Sequence, residues 1–156
     1  MSSRKRTVWI VQQGVWDMPK ESMPLAAGYL KATALACESI RDEMEIRIFN
    51  FGGGDPVTIM AETMFAEGRP DVLAFSVMGW SYFSFGNIAE GFKQMNPDGW
   101  VVFGGPHVAN QAARVFRQFP EVDVVANGEG EFVFREILLA YLAGQSPAEL
   151  HAIGGI

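Results

Sequence analysis

The sequence predicts a doubly wound parallel α/β fold, and three observations predict it. Short β-rich runs alternate with helical patterns along the 156 residues, which is how βα units around a parallel sheet are written. Several runs are almost wholly apolar, among them Val72-Leu73-Ala74-Phe75 and Val101-Val102-Phe103, as befits strands covered by helices on both faces. Right-handed crossovers then place helices on both sides of the sheet.

The first strand is Thr7–Gln12. A loop of about a dozen residues follows, longer than the ~2–6 of an ordinary βα connection. It leads into a helix over about Pro24–Cys37 whose apolar residues are weakly polarised, so deep burial is expected. The second strand is Glu45–Phe51. Its helix carries the stripe Val57, Met60, Ala61, Met64 and Phe65, with 3.6-residue spacing. Gly68-Arg69-Pro70 stops that helix before strand three, Asp71–Met78. Phe85, Ile88, Ala89 and Phe92 mark the next helix, and Asn96-Pro97-Asp98-Gly99 introduces strand four, Gly99–Phe103. Ala112, Val115, Phe116 and Phe119 form a further stripe before strand five, Val122–Ala126. Phe134, Ile137, Leu138, Tyr141 and Leu142 form the last. All these stripes read as core.

Residues 1–6 read as a disordered N-terminus and 7–144 as one domain. Residues 145–156 show no regular pattern and end on Gly154-Gly155-Ile156, so they read as the start of a linker in a longer polypeptide. A chain of this length buries ~70% of its unfolded surface. With 49% apolar and 19% charged residues it is globular. A net charge of −6 argues against nucleic acid, which demands a basic face. No apolar run approaches the ~18 residues of a membrane span. The run behind the basic N-terminus, Val8 to Val11, is too short for a signal-peptide core. The single cysteine, Cys37, allows no internal disulfide and suits a cytoplasmic protein. It reads as a small apolar residue near a helix end, and one cysteine cannot hold an iron–sulfur cluster.

Ligands of such folds bind beyond the carboxyl ends of the strands. The loops there are Gln12–Pro24, Gly52-Gly53-Gly54-Asp55-Pro56, Ser76–Phe83, Gly104-Gly105-Pro106-His107-Val108 and Asn127-Gly128-Glu129-Gly130-Glu131. Glycines let backbone approach a ligand closely, although tight turns alone account for each loop taken singly. No nucleotide fingerprint is present: the triple glycine lacks the lysine and Ser/Thr of a phosphate loop. The pairs Asp17/Glu21 and Glu129/Glu131 read as solvated or helix-terminal charge. The histidines are His107 and His151, the latter in the irregular tail. No nucleophile–base set emerges, so the chain reads as a binder rather than a complete catalyst.

Taken together and in order, these loops resemble a known family. Pro70-Asp71-Val72-Leu73-Ala74-Phe75-Ser76, Val101–Val108 with its Gly-Gly-Pro-His, Phe119–Val125, and Gly128-Glu129-Gly130-Glu131 resemble the N-terminal cobalamin-binding domain of cobalamin-dependent radical S-adenosylmethionine enzymes. Pro24-Leu25-Ala26-Ala27-Gly28-Tyr29-Leu30 is similar to that family's first helix, and the likeness covers residue 7 to about 143. The resemblance implies a Rossmann-like five-stranded sheet in the order 2-1-3-4-5. It implies that Ser76 hydrogen-bonds a buried dimethylbenzimidazole, that Gly104 and Gly105 make room for it, and that Gly128, Glu129 and Gly130 border the tail or corrin edge. The cofactor-binding residues expected on this basis are Gln13, Trp16, Ser76, Val77, Met78, Trp80, Gly104, Gly105, Pro106, His107, Gly128, Glu129 and Gly130.

Many corrinoid carriers ligate cobalt through an Asp-x-His-x-x-Gly motif after strand one. Here Asp17 is present but no histidine follows. The resemblance therefore implies base-off cobalamin with no protein ligand to cobalt. Met78 and Trp80 are candidates to cover its lower face, and an unligated face makes methylcobalamin a better methyl donor. The family passes methyl groups from S-adenosylmethionine through methylcobalamin to carbon or phosphorus. Gln12–Pro19 with Ser22-Met23-Pro24-Leu25 looks most like the tryptophan 2-C-methyltransferases of thiopeptide antibiotic biosynthesis, which implies C2 of L-tryptophan as acceptor. The cysteine-triad barrel is absent from these residues. S-adenosylmethionine and a 4Fe–4S cluster are thus expected in a radical SAM domain of the same polypeptide. A stand-alone corrinoid carrier or sensor is the alternative, distinguished by whether the gene continues into such a barrel. A receiver domain would need an acidic pair after strand one and an aspartate closing strand three; Gln12-Gln13 and Ser76-Val77 supply neither.

Overall fold

The computed structural model describes residues 4–15 and 24–156. The elements are β1 (Arg6–Gln13), α1 (Leu25–Ala36), α2 (Glu38–Glu43), β2 (Met44–Phe51), α3 (Val57–Phe65), β3 (Val72–Ser76), α4 (Tyr82–Met95), β4 (Trp100–Gly104), α5 (Ala112–Gln118), β5 (Val124–Val125) and α6 (Gly130–Leu142). The strands pair in parallel in the order β2-β1-β3-β4-β5. That is the expected doubly wound sheet.

Alternation along the strands builds two cores. Trp9, Val11, Leu73, Phe75, Val101 and Phe103 face one side, where they meet α3, α4 and α5. Val8, Ile10, Val72, Ala74 and Val102 face the other, against α1, α2 and α6. Side chains two apart on a strand share a face, so the register carries each face outward in rows. Ile10, Ala74 and Val102 form one row, and Gln12, Ser76 and Gly104 form the next towards the carboxyl edge. The chain enters the sheet at β1, adds β2 on one side and β3 on the other. The switch point therefore lies between β1 and β3, where such folds open a crevice.

Several expectations need correction. Strand three ends at Ser76 rather than Met78; beyond Val77 the chain leaves the sheet in a turn that Ser81 N closes by donating to Met78 O (3.1 Å). Strand five contracts to Val124–Val125. The first helix is not deeply buried: only Ala27 and Ala34 are, while Leu25 and Tyr29 are 58% and 60% exposed. Its weak polarity comes from small residues, not from burial all round. Phe116 is also exposed rather than core. A short helix, α2, went unread because six residues cannot show a helical period; Cys37, extended at φ −81° and ψ 123°, separates it from α1.

The tail is not irregular. Residues Pro147–Ala152 form a 3-10 helix with a capping box in which Ser146 and Glu149 satisfy each other's backbone donors. Leu150 is wholly buried, and Asn127 N donates to Gly155 O (2.6 Å). The tail thus climbs from the foot of α6 to the loop after β5.

Candidate functional site

A pocket of about 200 Å³ opens at the carboxyl edge of the sheet on the face covered by α1 and α6. Its floor is the row Ile10, Ala74 and Val102, its walls Leu30 of α1 and Phe134 of α6. Its rim is Ser76, Met78, Gly104, Gly105, Pro106, Gly128, Gly130 and Glu131. Seven of the residues expected from the sequence are thereby brought together: Ser76, Met78, Gly104, Gly105, Pro106, Gly128 and Gly130.

The glycines do different jobs. A Cβ on Gly104 would meet only Ala126 Cβ, at an ordinary 3.7 Å, so the space beside it is open. A Cβ on Gly128, at φ +72°, would touch nothing, so its backbone alone calls for glycine. Gly105, at φ +106°, is pressed against the Val77 backbone and is a structural glycine. On Gly130 a Cβ would come within 3.3 Å of Leu30 Cδ2.

Five other expected residues, Gln13, Val77, Trp80, His107 and Glu129, lie outside the lining. Gln13 is buried and tied down: Nε2 donates to Gly52 O (3.0 Å) and Asp55 O (3.2 Å), joining the loops after β1 and β2. Trp80 Nε1 donates to Gln13 O (3.0 Å), which pins the β3 loop to the end of β1 while 52% of the tryptophan stays exposed. Val77 is wholly buried in the opposite core. Ser81, also buried, closes the turn by accepting from Met78 N (3.0 Å). The His107 ring lies against Tyr82, centroids 4.9 Å apart, and Arg114 Nη2 donates to its carbonyl (3.0 Å). Glu129 is exposed at the cap of α6. Trp16 falls outside the described residues, as do Asp17 and Glu21.

Sequence reasoning passed over Ile10, Ala26, Leu30, Ala74, Val102, Ala126 and Phe134 as ordinary core. The available signal was the small residue near each strand end (Ala74, Gly104, Ala126), where a filled core would carry a larger one. Among the described residues the pocket holds one titratable side chain, Glu131, and no nucleophile–base pair. Among the described residues no group of three His, Cys, Asp or Glu could hold a metal ion, and no helix is long and apolar enough to cross a membrane. The described lining suits a largely apolar group.

Residues 64–138 match the family model of the B12 binding domain. The cobalamin-dependent radical SAM methyltransferase TokK of Streptomyces tokunonensis is 36% identical over 146 residues, 92% of this chain and 20% of that protein. The 2-(S-pantetheinyl)-carbapenam-3-carboxylate methyltransferase of Streptantibioticus cattleyicolor is 43% identical over 74 residues, 47% of this chain and 11% of that protein. The cobalamin-dependent S-adenosylmethionine radical enzyme OxsB, solved with aqua-cobalamin bound, shares the fold. Its TM-score is 0.68 at 20% identity, over 90% of this chain and 19% of that one. The chain spans a fifth or less of the length of these relatives.

Proposed function

This chain is a cobalamin-binding domain related to cobalamin-dependent radical SAM methyltransferases, and on that premise we propose that it is the cofactor-holding part of such an enzyme, gripping the corrinoid by its nucleotide tail. The observation that carries this reading is the open space beside Gly104. Protein packing alone does not demand a glycine there, since a Cβ would sit comfortably; a ligand that uses the space does.

The residues present fit a base-off corrinoid. At about 200 Å³ the pocket is smaller than the ~300–1,000 Å³ of a whole-ligand site, which suits the tail base entering alone while the corrin ring rests on the strand ends. Ile10, Leu30, Ala74, Val102 and Phe134 would enclose the flat base, and Ser76 at the rim would donate a hydrogen bond to its free ring nitrogen. Trp80 and Met78 would face the underside of the ring from the β3 loop. The His107 ring packs against Tyr82 outside the pocket lining, which supports a cobalt without a protein ligand. The bound corrinoid supplies a cobalt centre able to carry a methyl group from S-adenosylmethionine to a carbon acceptor. Methyl donor and 4Fe–4S cluster would be held by polypeptide outside these residues. C2 of L-tryptophan is the first acceptor to assay and a carbapenam the second.

The test is an absorption spectrum of the purified chain after mixing with hydroxocobalamin and gel filtration. One corrinoid retained per chain, with a base-off spectrum lacking histidine coordination, is the expected result. A chain that elutes colourless would remove the reading.

A further inference from the structure

We infer that the pocket selects among corrinoids by the base at the end of the tail, accepting a benzimidazole and discriminating against a purine. This deepens the proposed function and rests on it. The two rows on this face of the sheet differ in chemistry. The outer row ends in Ser76 and Gly104, where polar groups are in reach. The inner row of Ile10, Ala74 and Val102 lies two residues deeper, about 6.6 Å along the strands, and is hydrocarbon throughout. Its backbone groups are committed to the β1–β3 and β3–β4 ladders. The helix side repeats the pattern. Glu131 stands in the first turn of α6 at the rim, and Phe134, one turn further in, is apolar.

A benzimidazole freed from cobalt has one unsubstituted ring nitrogen and a hydrocarbon edge. With the nitrogen at Ser76, the edge meets the inner row. An adenine in the same place carries two further ring nitrogens and an exocyclic amine. Whichever of these faces the inner row loses its hydration and finds no partner among the described residues, and buried polar groups left unpaired are expensive. The floor therefore discriminates by what it fails to offer, much as sites reject ligands whose polar atoms they cannot satisfy.

The experiment titrates the chain with cobalamin, with its analogue bearing adenine as lower base, and with cobinamide, which has no base. Wild type should bind the adenine analogue at least ~10-fold more weakly than cobalamin, and cobinamide more weakly as well. Adenine detaches from cobalt more easily than benzimidazole, so this preference must appear against that bias. Val102→Thr adds a hydroxyl to the floor with little change of shape and should narrow the ratio several-fold; Ala74→Ser serves if that variant does not fold. Comparing the ratio between the two proteins cancels the cost of detaching each base. Equal affinity for the two bases in wild type, or a ratio unmoved by the floor hydroxyl, overturns the inference while cobalamin binding survives. Cobinamide bound as tightly as cobalamin overturns it together with the placement of the tail. Failure of all three to bind overturns the corrinoid reading itself.

Discussion

Gly105 is packed so tightly on Val77 that a Cβ there would lie 2.7 Å from the Val77 carbonyl oxygen and 2.9 Å from its nitrogen. The same Val77 nitrogen donates to Gly104 O, and the same oxygen accepts from His107 N (3.4 Å). The β3 and β4 loops are therefore joined backbone to backbone at the lip of the pocket. Gly105→Ala meets both a left-handed φ and a backbone clash, and should cost about 2–4 kcal/mol. The thermal midpoint should fall by roughly 4–16 °C. An unchanged midpoint would show that the backbone contact between Gly105 and Val77 yields to a methyl group.

Gly104 should behave in the opposite way. Gly104→Val places its methyls in the open pocket, so the cofactor-free chain should keep its stability to within about 0.5 kcal/mol. Corrinoid affinity should fall roughly 5–150-fold, the cost of overfilling a packed space. Titration with hydroxocobalamin beside a thermal melt separates the two effects. Equal losses at 104 and 105 in both assays would refute the distinction between them.

Ser76→Ala removes a single rim hydroxyl. Affinity for cobalamin should drop about 2–10-fold, the worth of one neutral hydrogen bond, with the cofactor-free melt unmoved. Cobinamide binding should be indifferent to the substitution, because it brings no base for the hydroxyl to meet.

The layout of the sheet was legible because burial on both faces forces near-continuous apolar strands, as Val72–Phe75 and Val101–Phe103 show. Ser76 and Gly104 were legible because ligand loops must follow strands and because the motifs resembled a family. The register that sets Ser76 beside Gly104 in one row was not, since pairing partners 28 residues apart leave no local trace. Ile10 and Phe134 were hidden for a related reason: an apolar residue lining a pocket and one filling a core look the same until the neighbours are placed. Gln13 was expected at the cofactor from the family resemblance, and nothing local in the sequence signals that its amide nitrogen donates to the Gly52 and Asp55 carbonyls, which lie across the sheet edge. The 3-10 helix of the tail escaped because Leu150 finds its burial only against distant elements.

Tyr82 is 2% exposed, and its hydroxyl has no hydrogen-bond partner among the described residues. The ring itself is well used, against Phe119 (5.2 Å), His107 (4.9 Å) and the Arg114 guanidinium (5.0 Å). Tyr82→Phe keeps those contacts and removes a dehydrated, unpaired group. The variant should gain about 1 kcal/mol and melt roughly 2–4 °C higher. A lower melting point would mean that the hydroxyl does find a partner in solution.

Tyr141 sits at the opposite end of the sheet, edge-on to Trp100 with centroids 5.1 Å apart. Burial is the main cause that raises its phenol above the ordinary value, and the neighbouring Asp71 carboxylate adds to it. Asp71 also accepts from Thr7 N (2.7 Å), which fixes the start of β1 against β3. A phenol whose folded pKa lies above its unfolded one contributes stability that is fully present below the unfolded value, near 10. That stability is lost as pH rises through the folded value, because the unfolded chain releases the proton first. Alkaline titration of stability should therefore show a steeper fall above about pH 10 in wild type than in Tyr141→Phe, with parallel curves below it. Phe keeps the edge-on contact with Trp100 but offers no proton to lose, so the difference between the curves isolates this one group from the lysines and other tyrosines that titrate in the same range. If the curves stay parallel through the alkaline range, burial beside the Asp71 carboxylate does not hold the phenol in its protonated form.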